Sequence, residues 1–467
     1  MASNTSFFSD LLSSIAERGQ ALLDLKRTRP PAGDGIVGLC DALLSERGEA
    51  SGVALAKQIL DSYAGLDEAR KTAFFESLVD RFGPDLDAID RASADFSRQR
   101  DAATAAAVNA ASEARRQELI RRLNLAPGGT AALVAMRSEL LPRLDETLNL
   151  AVVDRDFEHL FSSWFNRGFL VLKRIDWSTP AVILERIIRY EAVHEISDWD
   201  DLRRRIDPSD RRCFAFFHPS LVDDPLIFVE VALTDESPAA IAPILANERE
   251  PINPSRATTA VFYSISNCQE GLRGISFGHF LIKQVVEELA REFASLKTFV
   301  TLSPVPGLRR WLGEARADAA RELKLTAEQR KALAILEHEQ WARRGDVAKR
   351  LRPLVMPVAA HYLMRAKTAR GNPLDPVARF HLGNGARLER LNWLADMSPK
   401  GLADSAGLMV NYSYVLKDIE RNHESYANNG EVVASSSVRG LLRPDRQALA
   451  ESGARQSIIR PERSEDR

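Results

Sequence analysis

The chain has 467 residues, 45 % hydrophobic and 27 % charged, too long for one ordinary core, so two soluble domains are expected. Its 63 basic and 65 acidic residues leave a net charge of −2, so the overall balance supports neither nucleic acid nor an anionic membrane as partner, and any anion site must be local. Three widely spaced cysteines, Cys40, Cys213 and Cys268, fit neither a disulfide framework nor a zinc site. No apolar run nears the ~20 residues of a membrane helix. The N-terminus has no basic start or apolar core, so the expected location is cytoplasmic, in a bacterium.

Residues 1 to about 165 read as helices throughout, with helical spacing at Phe75, Leu78, Val79 and Phe82 and again at Leu133, Met136 and Leu140. Proline and glycine break the pattern at Pro30-Pro31, Gly83-Pro84 and Pro127-Gly-Gly129. The stretch Asp101 to Arg116 is alanine-rich and polar, a helix without chemistry of its own.

Strand patterns begin at Phe169 to Lys173 and recur at Arg212 to Phe217 and Leu226 to Leu233. Ala260 to Ser266 is an unbroken β-branched and aromatic run, as in a strand buried on both faces. A glycine-bearing loop, Asn267 to Gly278, then opens a helix carrying Ile282, Val285, Val286, Leu289 and Phe293 on one face. Lys297 to Ser303 is the next strand, stopped by Pro304 and Pro306. Leu312 to Lys367 reads as a charged helical insertion with Leu333, Leu336 and Trp341 on one side. Gly407 to Val415 is the expected last element of the fold, before a tail rich in Arg, Glu and Ser.

A strand, a glycine loop and a helix in that order make a place for anions, because the first N–H groups of a helix lack internal partners and its dipole favours negative charge. Arg273 and Lys283 add positive charge suited to a diphosphate. The glycine spacing matches neither the dinucleotide fingerprint nor a nucleoside-triphosphate loop.

Arg273-Gly-Ile-Ser-Phe-Gly278 resembles the pyrophosphate loop of the Gcn5-related N-acetyltransferase (GNAT) fold, with Ser276 where that pattern has its middle glycine. Together with Phe262 to Ser266, Gln269 to Gly274, Leu302-Ser-Pro-Val-Pro-Gly307, Phe380-His-Leu-Gly-Asn-Gly385 and Asn392 to Asp396, it makes the stretch from about Phe161 to Gly440 resemble the malonyl-CoA decarboxylases.

The composition of 441–467 makes that tail the expected disordered end, and the resemblance implies an α+β two-domain protein, with an all-α oligomerisation domain at 1–166 and a GNAT-like catalytic domain with a helical insertion at 167–440. It implies a carboxy-lyase that turns malonyl-CoA and a proton into acetyl-CoA and CO2 without a cofactor, working as a homodimer or homotetramer. Ser303, His381 and Tyr414 match the family's catalytic positions. Ser303 would hydrogen-bond the malonyl carboxylate or enolate, and His381, with an ordinary pKa of about 6.5, would protonate the enolate carbon. Tyr414 would position one of these. Arg273, Gly274, Ile275, Ser276, Phe277, Gly278 and His279 carry over as the CoA-binding loop. Arg309 and Arg310, after the second strand, are candidates for the 3′-phosphate, with a solvated charge pair as the favoured reading. Asn384 and Asp396 take structural roles. An acyl-CoA-dependent acyltransferase or a non-catalytic acyl-CoA sensor on the same fold are the alternatives.

Overall fold

The structure, a computed structural model, describes residues 35–45, 48–145, 149–277, 281–317, 327–338, 340–369 and 371–442 and positions 14, 323 and 325. Pro30-Pro31 and all but the first two residues of the expected tail lie outside the described residues. The chain divides into two units. One takes in the residues up to Val171 together with Phe216–Ile227 and Asn267–Gly278, and the other holds the remainder.

The first unit is helical. Its helices include Gly35–Ser45, Glu49–Ala64, Glu68–Asp80, Leu86–Arg98, Ala102–Ser112, Arg115–Leu123, Gly129–Leu140 and Ala151–Trp164. Asp67, Asp85 and Asp101 begin three of them by accepting a backbone N–H three residues on, the capping expected where an acidic residue precedes a helix. Phe75, Leu78, Leu133, Met136 and Leu140 are buried as their spacing predicts, around Leu119, Phe157 and Phe161. The alanine-rich stretch folds as Ala102–Ser112, ends at Glu113, and pairs with Leu86–Arg98, and neither helix buries a single residue.

The strands are β1 (Val171–Ile175), β2 (Arg211–Phe217), β3 (Pro225–Thr234), β4 (Thr259–Asn267), β5 (Thr298–Thr301), β6 (Ser303–Pro304), β7 (Arg387–Asn392) and β8 (Met409–Ser413). They form one mixed sheet in the order β1-β2-β3-β4-β5-β8-β6, with β7 on β8. The helix Leu281–Glu292 connects β4 to the parallel β5 and buries Leu281, Ile282, Val285, Val286 and Leu289, so that strand, loop, helix and strand follow each other as read from the sequence.

One strand is absent from the sequence reading and one expectation fails. The strand β7, Arg-Leu-Glu-Arg-Leu-Asn, has its two leucines three residues apart across a β-bulge, so it lacks the alternation that marks a strand. And β8 is not the last element, since the helices Ile419–Asn429 and Ser436–Leu441 follow it. Ile419–Asn429 buries chiefly Ile419, Asn422 and His423, and Ser436–Leu441 only Val438, so neither shows an apolar face long enough to read.

The β5–β6 stretch keeps β8 on one side and loses β4 on the other within a few residues. It pairs with β4 up to Phe262↔Thr301, and the Leu302 N–H donates to the Phe262 carbonyl at 2.9 Å. Beyond that point Ser303 and Pro304 pair with Val410 and Met409 of β8, in the same register as Val300↔Ser413. Pro304 thus sits in the ladder rather than ending it, while β4 runs on to Asn267. The two strands diverge directly beside Ser303.

Candidate active site

Thr301 and Ser303 are two residues apart on one strand and therefore point to the same face. So do Tyr412 and Tyr414 on the neighbouring β8. The helix Pro376–Gly383 presents His381 to both pairs. That helix has a firm start, with Pro376 in its first turn and Asp375, fully buried, accepting the Ala378 N–H at 2.7 Å. It ends at Asn384, followed by Gly385 at φ 80°, where a Cβ would stand 2.2 Å from the Ile419 carbonyl oxygen. The Phe380-His-Leu-Gly-Asn-Gly385 block is thus a capped helix and a glycine exit, and Asn384 serves the structural role expected of it by bonding back to the Phe380 carbonyl at 2.9 Å.

His381 Nε2 lies 3.0 Å from Ser303 Oγ, and its Nδ1 lies 2.8 Å from the Tyr414 hydroxyl. The imidazole also stacks on Tyr412, ring centres 4.5 Å apart. Ser303 Oγ donates to Thr301 Oγ1 at 2.9 Å, and Thr301 in turn accepts the Tyr412 N–H at 3.1 Å. Asn411 holds the same stretch by donating to the Thr301 carbonyl at 2.7 Å. Thr301, Asn411 and Tyr412 were not anticipated. The signal available for Thr301 was its place two residues before Ser303 on a buried strand.

The site is dry. His381 is 2 % exposed, Ser303 6 % and Tyr414 1 %. Burial lowers the His381 pKa to about 3, and burial holds the Tyr414 hydroxyl well above its usual range. The expectation that His381 titrates near neutrality therefore does not hold for the protein without substrate. The imidazole is neutral, with one N–H to give and one nitrogen to accept, so its two hydrogen bonds run in opposite senses. Serine can hand its proton to His381 or to Thr301, and the tyrosine completes whichever tautomer results.

The CoA-loop residues belong to the helical unit, where Arg137 governs them. This arginine is 1 % exposed, and its Nη1 donates to the carbonyls of Gly271 and Arg273 at 2.9 and 2.8 Å while Asp154 and Glu158 hold the rest of its guanidinium. Gly271 is obligatory, because a Cβ there would stand 1.9 Å from the Val134 carbonyl oxygen. Gly274 has φ 84°, which favours glycine. Ile275 and Phe277 are buried and Ser276 is exposed.

Gly278 and His279 lie outside the described residues. The Arg273 and Ile275 N–H groups are used inside the loop, bonding to the Glu270 and Leu272 carbonyls, so an anion would draw on other amides. The two expected cations are paired with carboxylates: Arg273 with Glu270 at 2.8 Å, and Lys283 with Glu420 and with Glu287. Arg137 was missed because a buried arginine on an apolar helix face has no local pattern that announces a loop far along the chain.

The neutral His381 has a consequence for stability. The unfolded chain holds a proton on this imidazole below about 6.5 and the folded one does not, so stability is full above that value and is lost as pH falls toward about 3. His194, lowered to about 4 by burial, acts in the same sense, whereas Asp375, raised by burial to about 7, loses its contribution as pH rises. In urea unfolding from pH 6 to pH 4, His381→Gln is expected to flatten the decline by about 1.4 kcal/mol per pH unit relative to the unsubstituted protein. Equal slopes would mean that His381 is already charged in the fold.

The malonyl-CoA decarboxylase C-terminal domain description matches residues 168–452 and the malonyl-CoA decarboxylase N-terminal domain description matches residues 82–165. A mitochondrial malonyl-CoA decarboxylase of Rattus norvegicus is 36 % identical over 431 residues, 85 % of this chain and 87 % of its own length. Among solved structures, malonyl-CoA decarboxylase from Rhodopseudomonas palustris is 59 % identical with a TM-score of 0.85, and that from Agrobacterium vitis is 55 % identical with a TM-score of 0.81. Each covers 88 % of this chain and 100 % of its own. With its capped histidine helix, its serine beside a strand divergence and this span of agreement, the chain belongs to the malonyl-CoA decarboxylase family.

Proposed function

We propose that the protein decarboxylates malonyl-CoA to acetyl-CoA and CO2, and the observation that carries this reading is the buried chain Thr301–Ser303–His381–Tyr414 at the divergence of β4 and β5. The substrate's C–C bond to the carboxylate breaks, its electron pair moves onto the thioester oxygen as an enolate, CO2 leaves, and the enolate carbon takes one proton. The thioester is itself the electron sink, so the reaction calls for neither a metal nor an organic cofactor.

Ser303 is the donor to the malonyl carboxylate or the enolate oxygen, an interaction of a kind worth roughly 3 to 4 kcal/mol in a dry site. His381 is the acid, but only once substrate is present. A carboxylate brought within a few Å of an imidazole favours its charged form, so binding draws a proton onto His381. When CO2 departs, that proton passes to carbon. Tyr414 holds the ring through Nδ1. The loop Arg273 to His279 takes the CoA pyrophosphate, with Arg137 keeping its shape.

The buried thiols of Cys40, Cys213 and Cys268, none of them in a disulfide, support a reducing, cytoplasmic setting. The paired helices Leu86–Arg98 and Ala102–Ser112, with Leu86 70 % exposed and no buried residue in either, support self-association through the helical domain into a dimer or tetramer.

Incubation with malonyl-CoA alone, after dialysis against a chelator, is expected to release acetyl-CoA and CO2 in equal amounts. Recovery of intact malonyl-CoA would turn attention to acyl transfer to an acceptor. If His381 is charged on binding, kcat/KM should fall about tenfold per pH unit from pH 6 to 8, and a flat profile would assign the proton to another source. Light scattering should find an oligomer that Ile89→Glu with Phe96→Glu shifts toward the monomer with helicity retained. A monomeric parent chain would remove that proposal.

A further inference from the structure

The line Thr301–Ser303–His381–Tyr414 ends differently on its two sides. Each of its hydroxyls has one proton to give and two lone pairs, and a neutral imidazole has one N–H and one bare nitrogen. Ser303 Oγ lies 2.9 Å from Thr301 Oγ1 and 3.0 Å from His381 Nε2, and His381 Nδ1 lies 2.8 Å from the Tyr414 hydroxyl. Along those three contacts alone the protons can run in either sense. What each end meets beyond the line decides between them.

At one end, the fully buried Thr301 hydroxyl meets the backbone of β8 twice. The Tyr412 N–H donates to Oγ1 at 3.1 Å, and Oγ1 donates to the Val410 carbonyl at 3.4 Å. An amide N–H can only give and a carbonyl can only take, so these neighbours occupy one lone pair and the single proton of Thr301. One lone pair remains, and Ser303 fills it by donating. With the serine's proton spent on Thr301, the bond between Ser303 and His381 is supplied by the imidazole, from Nε2–H.

At the other end, the buried Tyr414 hydroxyl has His381 Nδ1 as its one hydrogen-bond partner among the described residues. Burial holds its pKa well above the usual range, so the phenol keeps its proton. Donating to a bare Nδ1 uses that proton, whereas accepting from an Nδ1–H strands it in a dry site, which is costly. The reverse sense also gives up the bond from Thr301 to Val410. Both ends therefore select the same direction.

We propose that Thr301 is a positioning residue that fixes His381 as its Nε2–H tautomer, by holding the Ser303 proton away from the imidazole until a substrate oxygen replaces Thr301 as its acceptor. Its use in catalysis rests on the decarboxylase reading above. Ser303 exchanges Thr301 for the malonyl carboxylate or enolate with no change at the imidazole, whose N–H stays directed to the Ser303 side. The same polarity keeps His381 from acting as a base on Ser303, so the pair is not arranged as an activated nucleophile.

The tautomer is read from the imidazole nitrogen NMR resonances of the full chain, isotopically labelled at histidine, without substrate and at neutral pH. His381 is identified among the eight histidines by the signals lost in His381→Gln. The proton is expected on Nε2. Thr301→Val keeps the size and the β-branching but removes the acceptor, leaving Ser303 with His381 as its one partner among the described residues. It is expected to move the proton to Nδ1 and to lower kcat/KM for malonyl-CoA about tenfold. Thr301→Ser returns the hydroxyl and should return both the Nε2 proton and most of the lost kcat/KM. A proton on Nδ1 in the unsubstituted protein, a result that needs no variant to fold, would overturn the proposal. So would an Nε2 proton retained in folded Thr301→Val. Because the tautomer is measured without turnover, a protein that leaves malonyl-CoA intact would defeat the decarboxylase reading and leave the spectrum to decide the role of Thr301.

Discussion

The ladder between β8 and the β5–β6 stretch is the interaction on which the site depends. Its register holds from Val300↔Ser413 to Pro304↔Met409, although the same stretch leaves β4 midway. Because the register is unbroken, Thr301 and Ser303 stay on the same face as Tyr412 and Tyr414. A slip of one residue would turn Ser303 away from His381, since side chains alternate along a strand. The Asn411 amide, donating to the Thr301 carbonyl, and the Thr301 hydroxyl, accepting the Tyr412 N–H, tie the two strands together.

Dryness and charge are in tension at this site. Burial strengthens every hydrogen bond that Ser303 and His381 make, and it also strips the histidine of its proton at neutral pH. A substrate that arrives with a carboxylate and leaves without it relieves that tension at one step and restores it at the next. In the proposed reaction the charge that recruits the proton stays behind on the enolate as neutral CO2 departs, and the proton then neutralises it on carbon.

The helical unit is more than a support. Arg137 grips the glycine loop through two carbonyls, and the helix Gly129–Leu140 approaches so closely that only glycine fits at position 271. A loop with its carbonyls held from behind keeps one shape, as binding a diphosphate with little reorganisation requires.

By itself the sequence determined the helical first half, the strand–glycine loop–helix–strand core and the family, because long apolar periodicities and the blocks around Ser303 and His381 are local properties of the chain. It also singled out Ser303, His381 and Tyr414, although they stand 78 and 33 residues apart, through family likeness rather than through spacing. Only the tertiary structure decided that these three form one hydrogen-bonded line, that Thr301 and Asn411 anchor it, that Lys283 and Arg273 are already paired, and that His381 is neutral. Each of those depends on which distant groups meet and how much water they exclude. Desolvation and long-range hydrogen bonding have no period along a chain, whereas helices and buried strands do.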